Sequence, residues 1–191
     1  MDRTFAWINE PPRWSGDATA LELETGARTD FWRETFYGFT RASGHAWVAP
    51  VEGDFAVSAR FTGRYETLYD QAGLMVLGAG DAWMKTGVEY TDGLMHFSVV
   101  MSAGRSDWSV VPLPEATPDT PVAARVTRIG EAMQVRYAVG DGPWRLARLA
   151  PFPAGASRAG LMACSPERGG FCATFTELAL GPAGDTALHA P

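Results

Sequence analysis

The fold follows from three successive segments, which read Tyr69-Asp70-Gln71-Ala72-Gly73-Leu74-Met75-Val76-Leu77, then Trp83-Met84-Lys85-Thr86-Gly87-Val88-Glu89-Tyr90, then Leu94-Met95-His96-Phe97-Ser98-Val99-Val100-Met101. Each segment predicts one antiparallel strand. The second and third are joined by Asp92-Gly93, a strong hairpin signal because a type I′ turn needs positive φ at both central residues. A two-residue loop also sets the register, which places Glu89 opposite His96 and Lys85 opposite Val100.

This register separates apolar from polar side chains, since successive residues of a strand point to opposite faces. One face is almost entirely core material, namely Met84, Thr86, Val88, Tyr90, Met95, Phe97, Val99 and Met101. The other face carries Lys85, Gly87, Glu89, His96 and Ser98, with Leu94 and Val100 at its ends. In the simplest register of the first segment, Leu77 lies opposite Trp83, and Tyr69, Gln71 and Gly73 join the polar face. We predict that this polar face is the functional site.

The rest of the chain indicates an all-β fold. Helix signals are nearly absent, and Gly and Pro recur at short intervals between alternating or apolar segments, a pattern typical of a sandwich. With 191 residues, the chain fits one domain. We expect two stacked antiparallel sheets with about a dozen or more strands. The predicted organisation is one β-sandwich domain over residues 1–180 and a C-terminal tail over residues 181–191.

Charge and hydropathy bear on partners and location. A net charge of −6 and a pI near 5.0 argue against nucleic acid or an anionic membrane as partner, because no basic stripe is present. The first ten residues lack the apolar run of a signal peptide, and no apolar stretch approaches the roughly 20 residues of a membrane span. We therefore expect a cytoplasmic protein that binds neither membranes nor nucleic acids. The sequence leaves the oligomeric state open.

Aromatic residues are abundant, at 12% with seven tryptophans, which fits either a large core or a ligand groove. The run from Asp30 to Phe39 includes Trp32 and Tyr37 and is too aromatic for a routine surface loop. It either plugs an open end of the sandwich or forms the wall of a binding cleft. After Met101 the loop length does not set the register, so either Asp107 or Trp108 shares the polar face.

Three polar residues of the central strands suggest chemistry. Lys85 is the one lysine of the chain, and a lysine in mid-strand differs from arginine in shape and titration. Glu89 and His96 are expected with their β-carbons about 5 Å apart, as an acid–base couple or a cross-strand ion pair. Lys85 and Glu89 are separated by about 13 Å along the strand, too far for contact unless their side chains converge.

Metal and cofactor motifs are missing from the sequence. Cys164 and Cys172 flank the turn at residues 165–170, and in a reducing compartment both are expected to be free, packed thiols. They lack the second pair or histidine cluster of a zinc site. A metal site built from His45, His96 and Glu89 would need His45 close to the other two residues, and nothing in the sequence brings it there. Phosphate loops and nucleophile elbows are absent, so we assign no metal, no cofactor and no catalytic residue.

Several motifs occur in the order known from one family. They are Asp30-Phe31-Trp32-Arg33, Tyr37-Gly38-Phe39, Gly44-His45, Tyr69-Asp70-Gln71-Ala72-Gly73-Leu74, Trp83-Met84-Lys85, Gly87-Val88-Glu89, Ser106-Asp107-Trp108-Ser109 and Cys164-Ser165-Pro166. Residues 29–178 thereby resemble the bacterial and fungal domain-of-unknown-function family that includes the yeast "regulation of enolase protein". The resemblance implies a concanavalin A-like jelly roll, a fold in which lectins and glucanases often place sugars on the concave sheet. It implies no established activity.

Together these observations predict a ligand-binding β-sandwich, with a carbohydrate or other small molecule bound at a polar and aromatic concave face. Aromatic rings stack on sugars, and carboxyl, amide, imidazole and ammonium groups hydrogen-bond to hydroxyls. The predicted ligand-binding residues are Trp32, Tyr37, His45, Tyr69, Gln71, Lys85, Glu89, His96 and Trp108.

Two other functions stay open. The first is a carbohydrate-active enzyme using Glu89, although a glycosidase needs two carboxyl groups and the same-face neighbours of Glu89 are Gly87 and Thr91. The second, which follows from the family name, is a protein-interaction regulator of metabolism.

Overall fold

The computed structural model describes residues 4–184 and 187–188. These residues form sixteen β-strands and no helix. The strands are β1 (Ala6–Ile8), β2 (Arg13–Gly16), β3 (Ala20–Glu24), β4 (Phe31–Arg33), β5 (Thr40–Ala42), β6 (His45–Val51), β7 (Phe55–Gly63), β8 (Gln71–Leu77), β9 (Trp83–Thr91), β10 (Leu94–Ala103), β11 (Arg105–Pro112), β12 (Val122–Ile129), β13 (Ala132–Val139), β14 (Arg145–Pro151), β15 (Ser157–Cys164) and β16 (Cys172–Gly181).

Two seven-stranded antiparallel sheets form the sandwich. The front sheet has the order β1-β6-β15-β8-β9-β10-β11, and the back sheet has the order β14-β13-β12-β7-β16-β3-β2. Strands β4 and β5 pair separately as a two-stranded hairpin. The predicted concanavalin A-like jelly roll of two antiparallel sheets is confirmed, with the three central segments side by side in the front sheet.

The register of the central strands is the predicted one. Both turn residues adopt positive φ, 53° for Asp92 and 77° for Gly93, as a type I′ turn requires. Glu89 lies opposite His96, and Leu77 lies opposite Trp83. Tyr69 differs from expectation, because it precedes β8 and has a φ of 66°. It belongs to the connection that leads into the strand.

The main core fills the space between the two sheets. The front sheet contributes Met84, Val88 and Phe97, and the back sheet contributes alternate residues of β7. The rings of Phe97 and Tyr137 stack across the interface at 4.4 Å. Burying a side chain of this size stabilises the fold by about 1.5–3 kcal/mol, so this layer holds the sheets together.

A second apolar cluster lies on the outer face of the front sheet, beneath the β4–β5 hairpin. The hairpin contributes Phe31 and Trp32, which pack on Met75, Trp83 and other residues of the sheet. The run from residue 30 to residue 39, expected as an aromatic loop, is thus the first strand and turn of a hairpin. It covers part of the polar face that the sequence predicted as the functional site.

Other expectations concern the ends of the chain. The division into a domain at 1–180 and a tail at 181–191 stays a prediction. Gly181 belongs to β16, while residues 185, 186 and 189–191 lie outside the described residues, as do residues 1–3. No helix in the described part of the chain could cross a bilayer, and the cytoplasmic location stays a prediction. Both cysteines are free thiols, as expected.

Candidate functional site

A cavity of about 130 Å³ opens on the outer face of the front sheet. Its floor is formed by Gln71 of β8, Lys85 and Glu89 of β9, and Val100 of β10. The hairpin forms one wall and Trp108 of β11 another. The complete lining is Asp30, Trp32, Tyr37, Phe39, Arg41, Tyr69, Gln71, Lys85, Glu89, Val100, Trp108, Pro166 and Glu167. The aromatic run from Asp30 to Phe39 therefore forms the wall of a cleft, which is one of the two interpretations that the sequence left open.

A buried ion pair ties the hairpin to the floor of the cavity. The Lys85 ammonium donates to Asp30 Oδ1 at 2.7 Å, and the Phe31 N–H donates to the same oxygen at 2.8 Å. Burial by itself lowers the pKa of Lys85, but the charge of Asp30, the smaller effect of the Glu89 charge and the hydrogen bond to Asp30 together outweigh it and hold that pKa above its ordinary value. Lys85 therefore stays protonated.

Glu89 is a carboxyl group that is almost fully buried, with 3% of its surface exposed. Burial raises its pKa to about 7, against the opposing effects of the Lys85 charge and of a hydrogen bond from Ser98. The Ser98 hydroxyl donates to Glu89 Oε2 at 3.0 Å and accepts from Trp108 Nε1 at 3.1 Å. Near neutral pH this carboxyl group can either donate or accept a proton.

Gln71 contributes to the same floor an amide that has no hydrogen-bond partner among the described protein residues. The residue is 5% exposed and lies opposite Glu89 in the register of β8 and β9. Among the described residues, none forms a hydrogen bond with its side-chain amide. Buried amides normally have partners, so the donors and the acceptor of Gln71 are free for a ligand in the cavity.

Four aromatic residues of the lining contact one another in a closed circuit, which we call the aromatic collar: Trp32, Tyr37, Tyr69 and Trp108. Trp32 packs edge-to-face on Tyr37 at 5.7 Å, and the Tyr37 and Tyr69 hydroxyls are 2.7 Å apart. Tyr69 and Trp32 each pack edge-to-face on Trp108 at 6.4 Å. Burial and the Tyr37 contact raise the pKa of Tyr69, so the Tyr69 hydroxyl stays protonated at neutral pH.

The collar is supported by residues behind it, and the backbone is strained at one of its members and at one neighbouring residue. Phe39 stacks on Tyr37 at 5.5 Å, and the Arg41 guanidinium lies 4.5 Å from the centre of the Phe39 ring. Phe36 and Tyr69 have φ values of 63° and 66°, a region that costs a residue other than glycine about 1–3 kcal/mol. The surrounding contacts must offset this cost. Strained residues of this kind are common at active sites and ligand-binding segments.

Two predicted ligand-binding residues, His45 and His96, do not line the cavity. The His45 Nδ1 donates to the Asn9 carbonyl oxygen at 2.5 Å, and its Nε2 accepts from the Gly26 N–H at 3.0 Å. Burial lowers the pKa of His45, so it is a neutral residue that holds the backbone. His96 Nδ1 lies 3.2 Å from the Leu94 carbonyl oxygen.

The expected couple of Glu89 and His96 does not form. Their strands align as predicted, but no ion pair or hydrogen bond joins the two side chains within residues 4–184. Glu89 instead binds Ser98. Those residues also contain no group of three or more His, Cys, Asp and Glu placed to hold a metal ion.

The remaining predicted residues all line the cavity, namely Trp32, Tyr37, Tyr69, Gln71, Lys85, Glu89 and Trp108. Their ligand-binding role stays a prediction. The sequence left open whether Asp107 or Trp108 faces the site; Trp108 does, while Asp107 pairs with Arg148 at 2.5 Å. Sequence reasoning missed Asp30 and Arg41. The solitary lysine was the available signal for Asp30, because a buried ammonium group needs a counter-ion.

Fold and cavity together define a concanavalin A-like jelly roll with a ligand-sized cavity on its outer face. Residues 7–183 match the family model described as "Protein of unknown function (DUF1349)". The chain belongs to this family.

The most informative relatives are from yeast. The chain is 42% identical over 184 residues to "Regulation of enolase protein 1" of Saccharomyces cerevisiae, covering 96% of this chain and 92% of that protein. A crystal structure of a functionally unknown protein from Saccharomyces cerevisiae superposes with a TM-score of 0.88 at 41% identity, covering 94% and 97% of the two chains. A legume lectin-like domain from Entamoeba histolytica gives a TM-score of 0.63 at 8% identity, with 94% and 90% covered. The last likeness is one of fold alone.

Proposed function

We propose that this protein binds a small molecule in the cavity and that the ligand is a carbohydrate. The observation that carries the proposal is the meeting of the aromatic collar with the Gln71 amide and the Glu89 carboxyl group in one cavity. Sugars present apolar C–H faces that pack on aromatic rings and hydroxyl groups that need hydrogen-bond partners. The amide of Gln71 and the Glu89 carboxyl supply such partners on the floor.

The electrostatics of the floor suit a ligand without a strong charge. Lys85 and Asp30 neutralise each other at 2.7 Å, and the pKa of Glu89 near 7 leaves that group half-protonated at neutral pH. A buried site with little net charge favours hydroxyl groups, which can donate to a carboxylate or accept from a carboxylic acid.

A glycan array followed by calorimetric titration of the best glycan tests the proposal. Trp108 is 37% exposed and lines the cavity, while Trp14 is 39% exposed on the back sheet. The change Trp108→Ala should weaken binding by at least about tenfold, a loss of ~1.4 kcal/mol, because it removes one side of the collar. Trp14→Ala is the matched control and should bind as the wild type does. Equal effects of both changes, or no glycan above background, would reject the proposal.

A carbohydrate-active enzyme is the second candidate, favoured by the pKa of Glu89 near 7. Such a value suits a general acid or base at neutral pH. A glycosidase also needs a second carboxyl group, and Asp30 and Glu167 both line the cavity. Asp70 is not available, because it is buried against Arg168.

The change Glu89→Gln separates the two candidates. An enzyme should lose turnover of a chromogenic glycoside and keep its affinity, whereas a binding protein shows no turnover in either form and changes affinity alone. The name of the yeast relative refers to regulation of enolase. A protein that responds to no sugar in a thermal-shift screen, yet retains a defined partner from a lysate, would favour a regulator of that kind.

A further inference from the structure

We infer that the cavity receives one terminal ring of a sugar chain, or a free monosaccharide, and excludes the internal units of a polysaccharide. This inference rests on the proposed carbohydrate-binding function and concerns the mode of recognition. Three observations support it: the size of the cavity, the closed circuit of the collar and the position of the free polar groups.

The enclosed part of the cavity is no larger than one ring. Its volume is about 130 Å³, whereas pockets for drug-sized ligands usually measure about 300–1,000 Å³. A cavity of roughly 150 Å³ accommodates one benzene molecule in a well-studied engineered protein. Two adjoining sugar rings would therefore not fit beneath the collar together.

The collar closes two of the gaps through which a chain would continue. An internal sugar unit carries a glycosidic bond on each side, so a site for it must be open in two directions. Here the Trp32 and Trp108 rings meet at 6.4 Å, between the hairpin and β11. On the other side of Trp32, the Tyr37 and Tyr69 hydroxyls meet at 2.7 Å, between the hairpin and the connection before β8. Walls that join in this way favour entry end-on.

The polar groups lie where a ring inserted end-on would place its hydroxyls. Gln71 and Glu89 face each other across β8 and β9 on the floor, and neither is more than 5% exposed. The exposed members of the collar are Tyr37 and Trp108, at 43% and 37%. A second sugar unit would contact these outer rings without reaching the floor, so most of the specific hydrogen bonds go to the first ring.

Titration with oligosaccharides of increasing length tests this inference. The probes are the cello-, xylo-, manno- and malto-oligosaccharide series from one to six units, measured by calorimetry. For any series that binds, we expect one protein per chain and affinities from two to six units that agree within about threefold. An affinity that rises steadily with length, or more than one protein on a six-unit chain, would overturn end-on recognition and leave carbohydrate binding intact. Absence of binding by every series and by the glycan array would overturn both.

A collar variant provides the second measurement. Tyr37→Ala removes one link of the circuit and leaves Gln71 and Glu89 in place. In this variant we expect affinity to become dependent on chain length, because the wall between the hairpin and Tyr69 is open. Phe36→Ala is the control, since Phe36 is 94% exposed beside Tyr37 and does not line the cavity. The inference fails if both variants keep the length profile of the wild type.

Discussion

Glu89 makes the stability of the protein depend on pH. Its pKa is about 7 in the folded state against an ordinary value of 4.5. Below pH 4.5 Glu89 is protonated in both the folded and the unfolded protein, so it does not make the free energy of unfolding depend on pH there. Between pH 4.5 and 7 the unfolded chain releases the proton while the folded protein keeps it, and the free energy of unfolding falls as pH rises. Above pH 7 the loss is constant, at about 3 kcal/mol.

Glu89→Gln should remove this loss, since an amide does not titrate. The difference in unfolding free energy between variant and wild type should grow by about 3 kcal/mol in favour of the variant from pH 4.5 to 7, and then level off. Urea unfolding at half-unit pH steps measures it. Glu167→Gln, at the exposed rim, controls for the loss of a charge. A difference that is independent of pH would mean that the pKa of Glu89 is the same in the folded and unfolded states and is not raised by burial.

The Lys85–Asp30 pair is a buried ion pair whose members are costly to separate. Asp30→Asn leaves the Lys85 ammonium buried without a counter-charge, which typically costs about 3–5 kcal/mol. We expect the single variants to lose stability by that amount in urea unfolding. The double variant Lys85→Met with Asp30→Asn should be less destabilised than the sum of the single changes, because no charge is then left uncompensated.

The exposed pair of Arg105 and Glu34 is the comparison for the buried one. It also joins the hairpin turn to the front sheet, at 3.1 Å, but its side chains are 78% and 54% exposed. Breaking it with Arg105→Gln should cost no more than about 1 kcal/mol. If breaking either pair lowers the free energy of unfolding by the same amount, the burial of Lys85 does not account for its contribution to stability.

Lys85 and its partner Asp30 show how much could be predicted at the scale of single residues. The polar face, with Lys85 and Glu89 on it, followed from alternation along one strand. The partner of Lys85 is 55 positions away in sequence, and no local pattern specifies such a contact. The place of His45 could not be predicted for a related reason: its residue type suggested contact with a ligand, but it does not line the cavity, and its neighbours in space, Asn9 and Gly26, bind both ring nitrogens.

At the scale of elements, the β4–β5 hairpin depends on close packing at Gly44. A β-carbon at this position would lie 2.3 Å from the Phe31 ring and 2.6 Å from the Cys164 sulfur. Gly44→Ala should therefore displace Phe31 and destabilise the protein by about 1–3 kcal/mol, the usual cost of overpacking. Gly181→Ala is the matched control, because a β-carbon there meets nothing within 4 Å. Equal stability of the two variants in urea would show that the hairpin tolerates displacement.

Hairpins differ in how clearly they appear in the sequence. The turn at Asp92-Gly93 is two residues long and demands positive φ, so the sequence identified it together with its register. Strands β4 and β5 have three residues each, too few to display alternation. Their apolar residues pack on the outside of a sheet, a position that the pattern of a two-layer sandwich does not predict.

On the scale of the whole molecule, the protein has two apolar layers of unequal size. The larger lies between the sheets and includes Phe97 and Tyr137, and the smaller lies under the hairpin and includes Phe31. The candidate site lies beside the smaller layer, since the hairpin that covers this layer also forms one wall of the site. The fold can therefore supply a rigid floor, while the wall is held by fewer buried contacts. This arrangement predicts that the wall opens more readily than the sandwich unfolds.

Hydrogen exchange measures the two opening events separately. Amides of the β4–β5 hairpin should exchange with a smaller opening free energy than those of β9 and β10, whose strands pair on both sides. Phe31→Ala should lower protection in the hairpin and leave β9 nearly unchanged. Phe97→Ala should lower the opening free energy of the most protected amides in both sheets by about 3–5 kcal/mol, because it weakens the apolar layer that the two sheets share. Equal losses in β9 from both variants would mean that the hairpin and the sandwich unfold as one unit, contrary to this prediction.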